Sequence, residues 1–259
     1  MIILSILKID FRFKDEITCC SDDFDYFIHS ETIVEDFDFN YSNQLEGLED
    51  ERFYKNDKSA PIGFVGTGLY SAPFMFTGIV FDKIFSFIGL KSTNSIVSYK
   101  LLFYSFSSIF YFFFTVRYLK ESLKILNIKY KITDLIILTL GVGVSYYAFE
   151  RYSMTHIYEA FSLTMLIYFS IKFYQNKDRA SASFIPIFAV LGFSVKWVHF
   201  YFFVIPLIIK FMFFNEKKYK LRDCKEFWIS SVFSSSLFLL INKLIYGVFT
   251  INPAYVYVS

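Results

Sequence analysis

Beyond residue 57 this chain becomes a succession of long apolar runs with few acids, and no other feature limits its fold as strongly. The runs lie at about Gly63–Leu90, Ile96–Val116, Thr133–Phe149, His156–Phe173, Ser183–Val195, Val198–Phe214 and Phe227–Val248. A helix that crosses a bilayer needs ~20 consecutive apolar residues, so most of these runs have spanning length and two are short. Composition points the same way: 55% of the 259 residues are hydrophobic and 22% aromatic, against roughly 45–50% apolar usage in soluble domains. A soluble fold has too little interior to hide that surface. The predicted class is all-α, a polytopic transmembrane helical bundle with an acidic extracytoplasmic loop containing short interfacial helices.

Charge divides the chain. Between Asp10 and Asp57 there are 15 Asp or Glu and only four Lys or Arg, whereas the residues after Asp57 hold nine acids. The net charge of +2 gives no case for nucleic acid as a partner. Residues 1–11 are an apolar run too short to span and without a small-residue cleavage site, so they read as the stump of a first transmembrane helix. Residues 12–60 form the acidic extracytoplasmic loop, with short amphipathic helices expected on the membrane surface between Ser30 and Asn56. Residues 61–259 form the transmembrane domain, with about six spans. Cys19, Cys20 and Cys224 have neither metal-ligand spacing nor a disulfide framework and receive no role.

The loops between apolar runs alternate in charge. Arg117–Lys131 holds five Lys or Arg, Lys172–Arg179 three, and Lys210–Lys225 six. The positive-inside rule makes these three cytoplasmic. It follows that Glu150–Thr155, the break at Lys196-Trp197, and the tail after Phe249 share the opposite face. Ser183–Phe214 must then be two short passes that reverse near Lys196. The acidic loop joins that outer face only if Gly63–Leu90 makes an even number of crossings. Pro61, Gly63, Gly66, Gly68, Pro73 and Gly78 interrupt that run, and Asp82 and Lys83 sit within it, which predicts a re-entrant or interfacial element near 61–90.

Three polar constellations fall on the outer face. Ser21-Asp22-Asp23-Phe24-Asp25-Tyr26 crowds three carboxylates, which suits a general base or a cation site and equally a solvated acidic loop. In Glu150-Arg151-Tyr152-Ser153-Met154-Thr155-His156-Ile157-Tyr158-Glu159, His156 and Glu159 share a helix face. Ionisable groups at the membrane boundary often mark a site, and an ordinary interfacial loop in the aromatic belt is the alternative. Lys196-Trp197-Val198-His199 places a basic pair where it suits a lipid phosphate, or where a lysine simply snorkels to the headgroups.

These residues resemble the GT-C superfamily of polytopic glycosyltransferases, in the branch of the protein O-mannosyltransferases and lipid A aminoarabinose transferases. Members carry an Asp-[Asp/Glu]-x-x-Tyr pattern just after the first helix, and Asp22-Asp23-Phe24-Asp25-Tyr26 looks like it. Ser30–Asn40 is similar to the Ser-Leu-Val-x-Asp-Gly-Asp-Leu-Asp-Phe run of a bacterial subgroup, with Phe37 in place of a customary Gly. Ala60-Pro61-Ile62-Gly63 and Ser71-Ala72-Pro73-Phe74 match its Pro-Ile-Gly-rich start of the next segment. Met154-Thr155-His156 resembles a Met-Ser-His element. Gly192–Trp197 sits where an Arg-Pro or Lys-Gly turn is usual, with Trp197 replacing the Pro or Gly. Members have a complete first helix and further helices beyond the region matched, so the chain is expected to be truncated at both ends.

The resemblance implies a polyprenyl-phosphate sugar donor, an acceptor that is a glycan, lipid or protein, and transfer at the extracytoplasmic face of a bacterial inner membrane. It makes Asp22 or Asp23 the catalytic base. Asp25 and Glu159 would position acceptor or cation, and Lys196, His199, His156 and Arg151 would hold the lipid phosphate. No cofactor is required by it, and a divalent metal is compatible with it. Two alternatives stand beside this expectation: a transport or lipid-handling membrane protein, and an inactive fragment of a larger transferase.

Overall fold

The computed structural model describes residues 21–46, 54–55, 58–61, 63–89, 98–141, 143–216 and 219–252. The expected helix stump at 1–11, Cys19, Cys20 and the last seven residues lie outside them. The described chain is all-α apart from one two-residue hairpin pairing Tyr54–Lys55 with Lys58–Ser59. In order the helices are α1 (Ser21–Glu35), α2 (Gly66–Phe87), α3 (Tyr99–Ile125), α4 (Ile132–Gly141), α5 (Val144–Phe149), α6 (His156–Asn176), α7 (Arg179–Val195), α8 (Ile205–Phe213) and α9 (Lys225–Tyr246). Two 3-10 turns, Trp197–Phe203 and Leu221–Asp223, precede α8 and α9.

Taken one at a time, two described helices, α3 and α9, are long and apolar enough to cross a membrane. α4, α7 and the Trp197–Phe213 segment are apolar but shorter, at 10–17 residues.

α3, α6, α7 and α9 pack side by side around aromatic and small residues. Tyr111 of α3 meets Tyr158 and Phe161 of α6, and further along Tyr118 meets Tyr168. Serines make close approach cheap: Ser107 Oγ bonds the Tyr158 hydroxyl at 2.7 Å, and Ser108 Oγ donates to the Ala148 carbonyl at 2.7 Å. Small hydroxyl residues that satisfy themselves on their own helix or a neighbour let backbones come together without burying an orphan polar group.

α7 stops at Val195 because Lys196 is extended (φ −161°, ψ 127°). The following turn then folds back, with Phe202 against Gly192, where a Cβ would lie 2.3 Å from the ring. Phe202, Ile209 and Phe214 join the core of α6 and α7, so the chain does reverse at Lys196.

α2 does not double back as a re-entrant element would, and it is not among the described helices long and apolar enough to cross a membrane, which suits the interfacial half of the re-entrant or interfacial element expected near 61–90. It is one unbroken helix of 22 residues, antiparallel to the first half of α3 through Phe74–Phe110 and Phe81–Phe103 ring contacts. Its glycines are contact points, not breaks. A Cβ on Gly66 would lie 2.4 Å from Val195 N, on Gly68 2.5 Å from His29 Cβ, and on Gly78 2.3 Å from the Tyr99 carbonyl oxygen. Asp82, in sequence a charge inside an apolar run, accepts the Tyr99 and Lys100 N–H groups at 3.0 Å each and caps α3.

In α1, described from Ser21 onward, Ile28, His29, Ser30, Thr32 and Val34 are buried, so its later turns pack against the protein. Ser30 Oγ meets Ser71 Oγ of α2 at 2.6 Å, and Lys100 of α3 pairs with Glu31 and Glu35.

Candidate functional site

Four pieces of chain meet at one end of the bundle: the first turn of α1, the Pro61–Val65 approach to α2, the loop before α6, and the Lys196 turn. Gly66 against Ser194–Val195 joins the approach to the turn. Tyr246 at the end of α9 closes the group by donating to the carbonyls of Pro61 (3.3 Å) and Gly63 (3.2 Å).

The first turn of α1 separates its three carboxylates. Asp22 is exposed, where it complements the helix N-terminus. Asp23 points inward and is 2% exposed. Its Oδ2 lies 3.5 Å from an Arg151 Nη2, and its Oδ1, though buried, has no hydrogen-bond partner among the described residues. Asp25 is 6% exposed, and its Oδ2 accepts the Gly63 N–H at 3.0 Å. That bond ties α1 to the start of α2.

Glu159, in the first turn of α6, gathers the histidines. Its Oε2 is 3.5 Å from His156 Nδ1 and 3.3 Å from His199 Nε2, and its Oε1 accepts from the Thr155 hydroxyl. The His199 contact is an ion-pair approach, not an aligned hydrogen bond, since Nε2 meets no hydrogen-bond geometry. His199 Nδ1 contacts the Tyr201 hydroxyl at 3.0 Å. His199 therefore turns toward Glu159 and away from partnership with Lys196. The expected basic pair at 196 and 199 is split, because the 3-10 turn buries His199 (6% exposed). Lys196 is half-buried, and among the described residues its ammonium has no ion-pair partner. Of the four expected phosphate ligands, Arg151 is engaged with Asp23 and both histidines with Glu159. Lys196 is left as the cation for an incoming anion.

Tyr26 is the residue that sequence reasoning undervalues. Burial, then the charges of Asp22, Asp25, Glu159 and Asp23, hold its hydroxyl well above the ordinary tyrosine range, so it stays neutral. It is one of 20 tyrosines, and the acidic motif names it without showing that it is buried. Among the described residues no group of three or more His, Cys, Asp or Glu side chains is arranged to hold a metal ion.

His29 braces this end from behind and gives it a pH dependence. Nε2 is 2.9 Å from the Gly63 carbonyl and Nδ1 is 2.7 Å from the Tyr41 hydroxyl. A carbonyl only accepts, so Nε2 carries the proton and Nδ1 accepts from Tyr41 in the neutral ring. Burial pushes its pKa from 6.5 down to about 4. The unfolded chain thus binds the proton more readily: the stability is complete above pH ~6.5 and is lost as pH falls toward 4, on the order of 3 kcal/mol in all. Thermal unfolding followed from pH 7 to 4.5 is expected to show this loss, and His29→Gln is expected to flatten it. An equally steep loss in the variant would assign the acid sensitivity elsewhere.

No protein-family model, curated protein or solved structure matches the chain.

Proposed function

We propose that the chain is a polytopic membrane glycosyltransferase of the GT-C kind, moving a sugar from a polyprenyl-phosphate donor to an acceptor hydroxyl at the extracytoplasmic face. One observation carries the reading: Asp23 is a buried carboxylate with one oxygen beside Arg151 and the other without a hydrogen-bond partner among the described residues. A buried polar atom left unsatisfied is costly, and a carboxylate oxygen in that state is what an acceptor hydroxyl would satisfy.

The chemistry follows from the residues at hand. Asp23 takes the acceptor proton as the acceptor oxygen bonds to the sugar's anomeric carbon. The bond from that carbon to the phosphate oxygen breaks, and polyprenyl phosphate leaves with the electron pair. Lys196, whose ammonium makes no ion pair among the described residues, offsets the growing phosphate charge. Glu159 holds the two histidines.

Membrane embedding is supported by what the surface exposes. Ile137 of α4, Phe211 and Met212 of α8, and Ile229, Val232 and Phe233 of α9 are each 65–68% exposed, and exposed apolar surface on several helices suits contact with lipid. The orientation is supported by the basic loops, which gather at the opposite end: Arg179 is 3.7 Å from Glu226, and Lys177 lies over Tyr219. The resemblance gains one further support. Phe37, where the bacterial subgroup has Gly, has φ 57°, in the left-handed region that favours glycine.

The test is transfer of labelled sugar from polyprenyl-phosphate donors by the full chain in membranes. The reading requires transfer by the natural chain and its loss in Asp23→Asn. Transfer that survives the substitution removes the assigned base.

A further inference from the structure

The end opposite the acidic helix contains a cavity that the proposed transfer does not use. It measures about 530 Å³ and lies where α6 ends, α7 begins and the Leu221–Asp223 turn leads into α9. Lys177, Arg179, Lys220 and Lys225 line it, against Asp223 and Glu226. Arg179 is engaged with Glu226 at 3.7 Å and Lys177 with the Tyr219 ring at 5.2 Å. The exposed ammonium groups of Lys220 and Lys225 make no ion pair among the described residues. The cavity also opens at the N-terminus of α9, whose dipole favours an anion.

Directly across the same turn runs an apolar groove of about 380 Å³ between α7, α8 and α9. Val190, Leu207, Phe227 and Trp228 form its walls, with Arg222 at its mouth. Leu221 and Arg222 face the groove while Asp223 and Cys224 face the cavity, so a single turn of chain separates a cationic chamber from an apolar slot.

We infer that this pair of features is a binding site for an anionic glycerophospholipid of the cytoplasmic leaflet, with its phosphate in the cation-lined cavity and an acyl chain in the groove. The inference rests on the membrane orientation proposed above. Charge complementarity selects the occupant: lysines without ion pairs among the described residues, beside an apolar slot, reward a ligand that is anionic at one end and aliphatic at the other. A zwitterionic lipid brings its own cation to the lysines and gains less. The site lies at the end of the bundle away from Asp23 and serves to anchor the α6–α7 and α8–α9 loops in the leaflet.

The experiment uses the full chain purified in detergent, offered equal amounts of phosphatidylglycerol and phosphatidylcholine, with retained lipid counted by native mass spectrometry. Phosphatidylglycerol is expected to be enriched about tenfold, in keeping with two available cations near the headgroup. Lys220→Glu with Lys225→Glu, both at exposed positions, is expected to abolish the enrichment. Ser235→Phe, which fills the groove from its exposed side, is expected to lower retention while leaving both lysines in place. Excess inorganic phosphate is expected not to displace the lipid. Equal retention of the two lipids, an unchanged charge-reversed variant, or full displacement by phosphate would each overturn the inference. If alkaline carbonate strips the chain from membranes, the embedding itself fails. A chain that stays embedded and shows no lipid preference sinks this site alone.

Discussion

Replacing Asp23 by asparagine is expected to lower sugar transfer by roughly two to four orders of magnitude, while Asp22→Asn changes it by no more than about twofold. The two carboxylates are neighbours in sequence but face opposite ways. Asp22 is exposed in the first turn of α1, where it serves the helix terminus. Asp23 is 2% exposed, lies beside Arg151, and keeps one oxygen without a hydrogen-bond partner among the described residues. Asparagine has nearly the same shape, so the packing survives, but its amide cannot accept the acceptor's proton. Co-elution of the variant with the natural chain in size exclusion separates lost chemistry from lost folding. Equal activity losses at the two positions would mean that general negative charge, not an oriented base, drives transfer.

Gly66→Leu is expected to prevent assembly of the native bundle, at a cost of about 3 kcal/mol or more. A Cβ at this position would lie 2.4 Å from Ser194 C and Val195 N, and neither side can yield because both are main chain. The same contact sets α2 beside the end of α7 that leads into Lys196, so forcing the helices apart also displaces that turn. Gly141→Ala is the control: its nearest neighbour, an Ile137 methyl, would be 3.9 Å away. Folded yield and thermal midpoint in detergent measure the effect. A Gly66→Leu variant as stable as the natural chain would show that α2 does not rest on the end of α7.

The sequence shows best what repeats along the chain, and least what depends on contacts between distant segments. Charge at the loops points to the two ends of the bundle and the reversal at Lys196, because a lysine in a short break between apolar runs is visible without any tertiary knowledge. The glycines of α2 mislead for a physical reason. Glycine is compatible with a broken helix and with helices in tight contact, and only the partner backbones at Ser194, His29 and Tyr99 distinguish the two. The acids of α1 draw attention away from its buried positions at Ile28, His29 and Thr32. His156 and Glu159, three residues apart, are legible as a pair. The approach of His199 to Glu159 spans forty residues and has no local signal, which is why sequence groups His199 with Lys196 instead. Tyr26 is visible in sequence only as a motif letter, and its placement among four carboxylates comes from the fold.

Both the transferase reading and the lipid site stand on one geometric statement: the α1 acids and the Lys196 turn lie on the outer face of a membrane, and the basic loops lie on the inner face. The most direct test places single cysteines at Asp22 and at Asn176, both exposed and at opposite ends, in a chain whose Cys19, Cys20 and Cys224 are replaced by serine. A membrane-impermeant maleimide added to intact cells is expected to label the cysteine at 22 and to reach the one at 176 only after permeabilisation. Labelling of both positions in intact cells, or of 176 alone, would contradict the account.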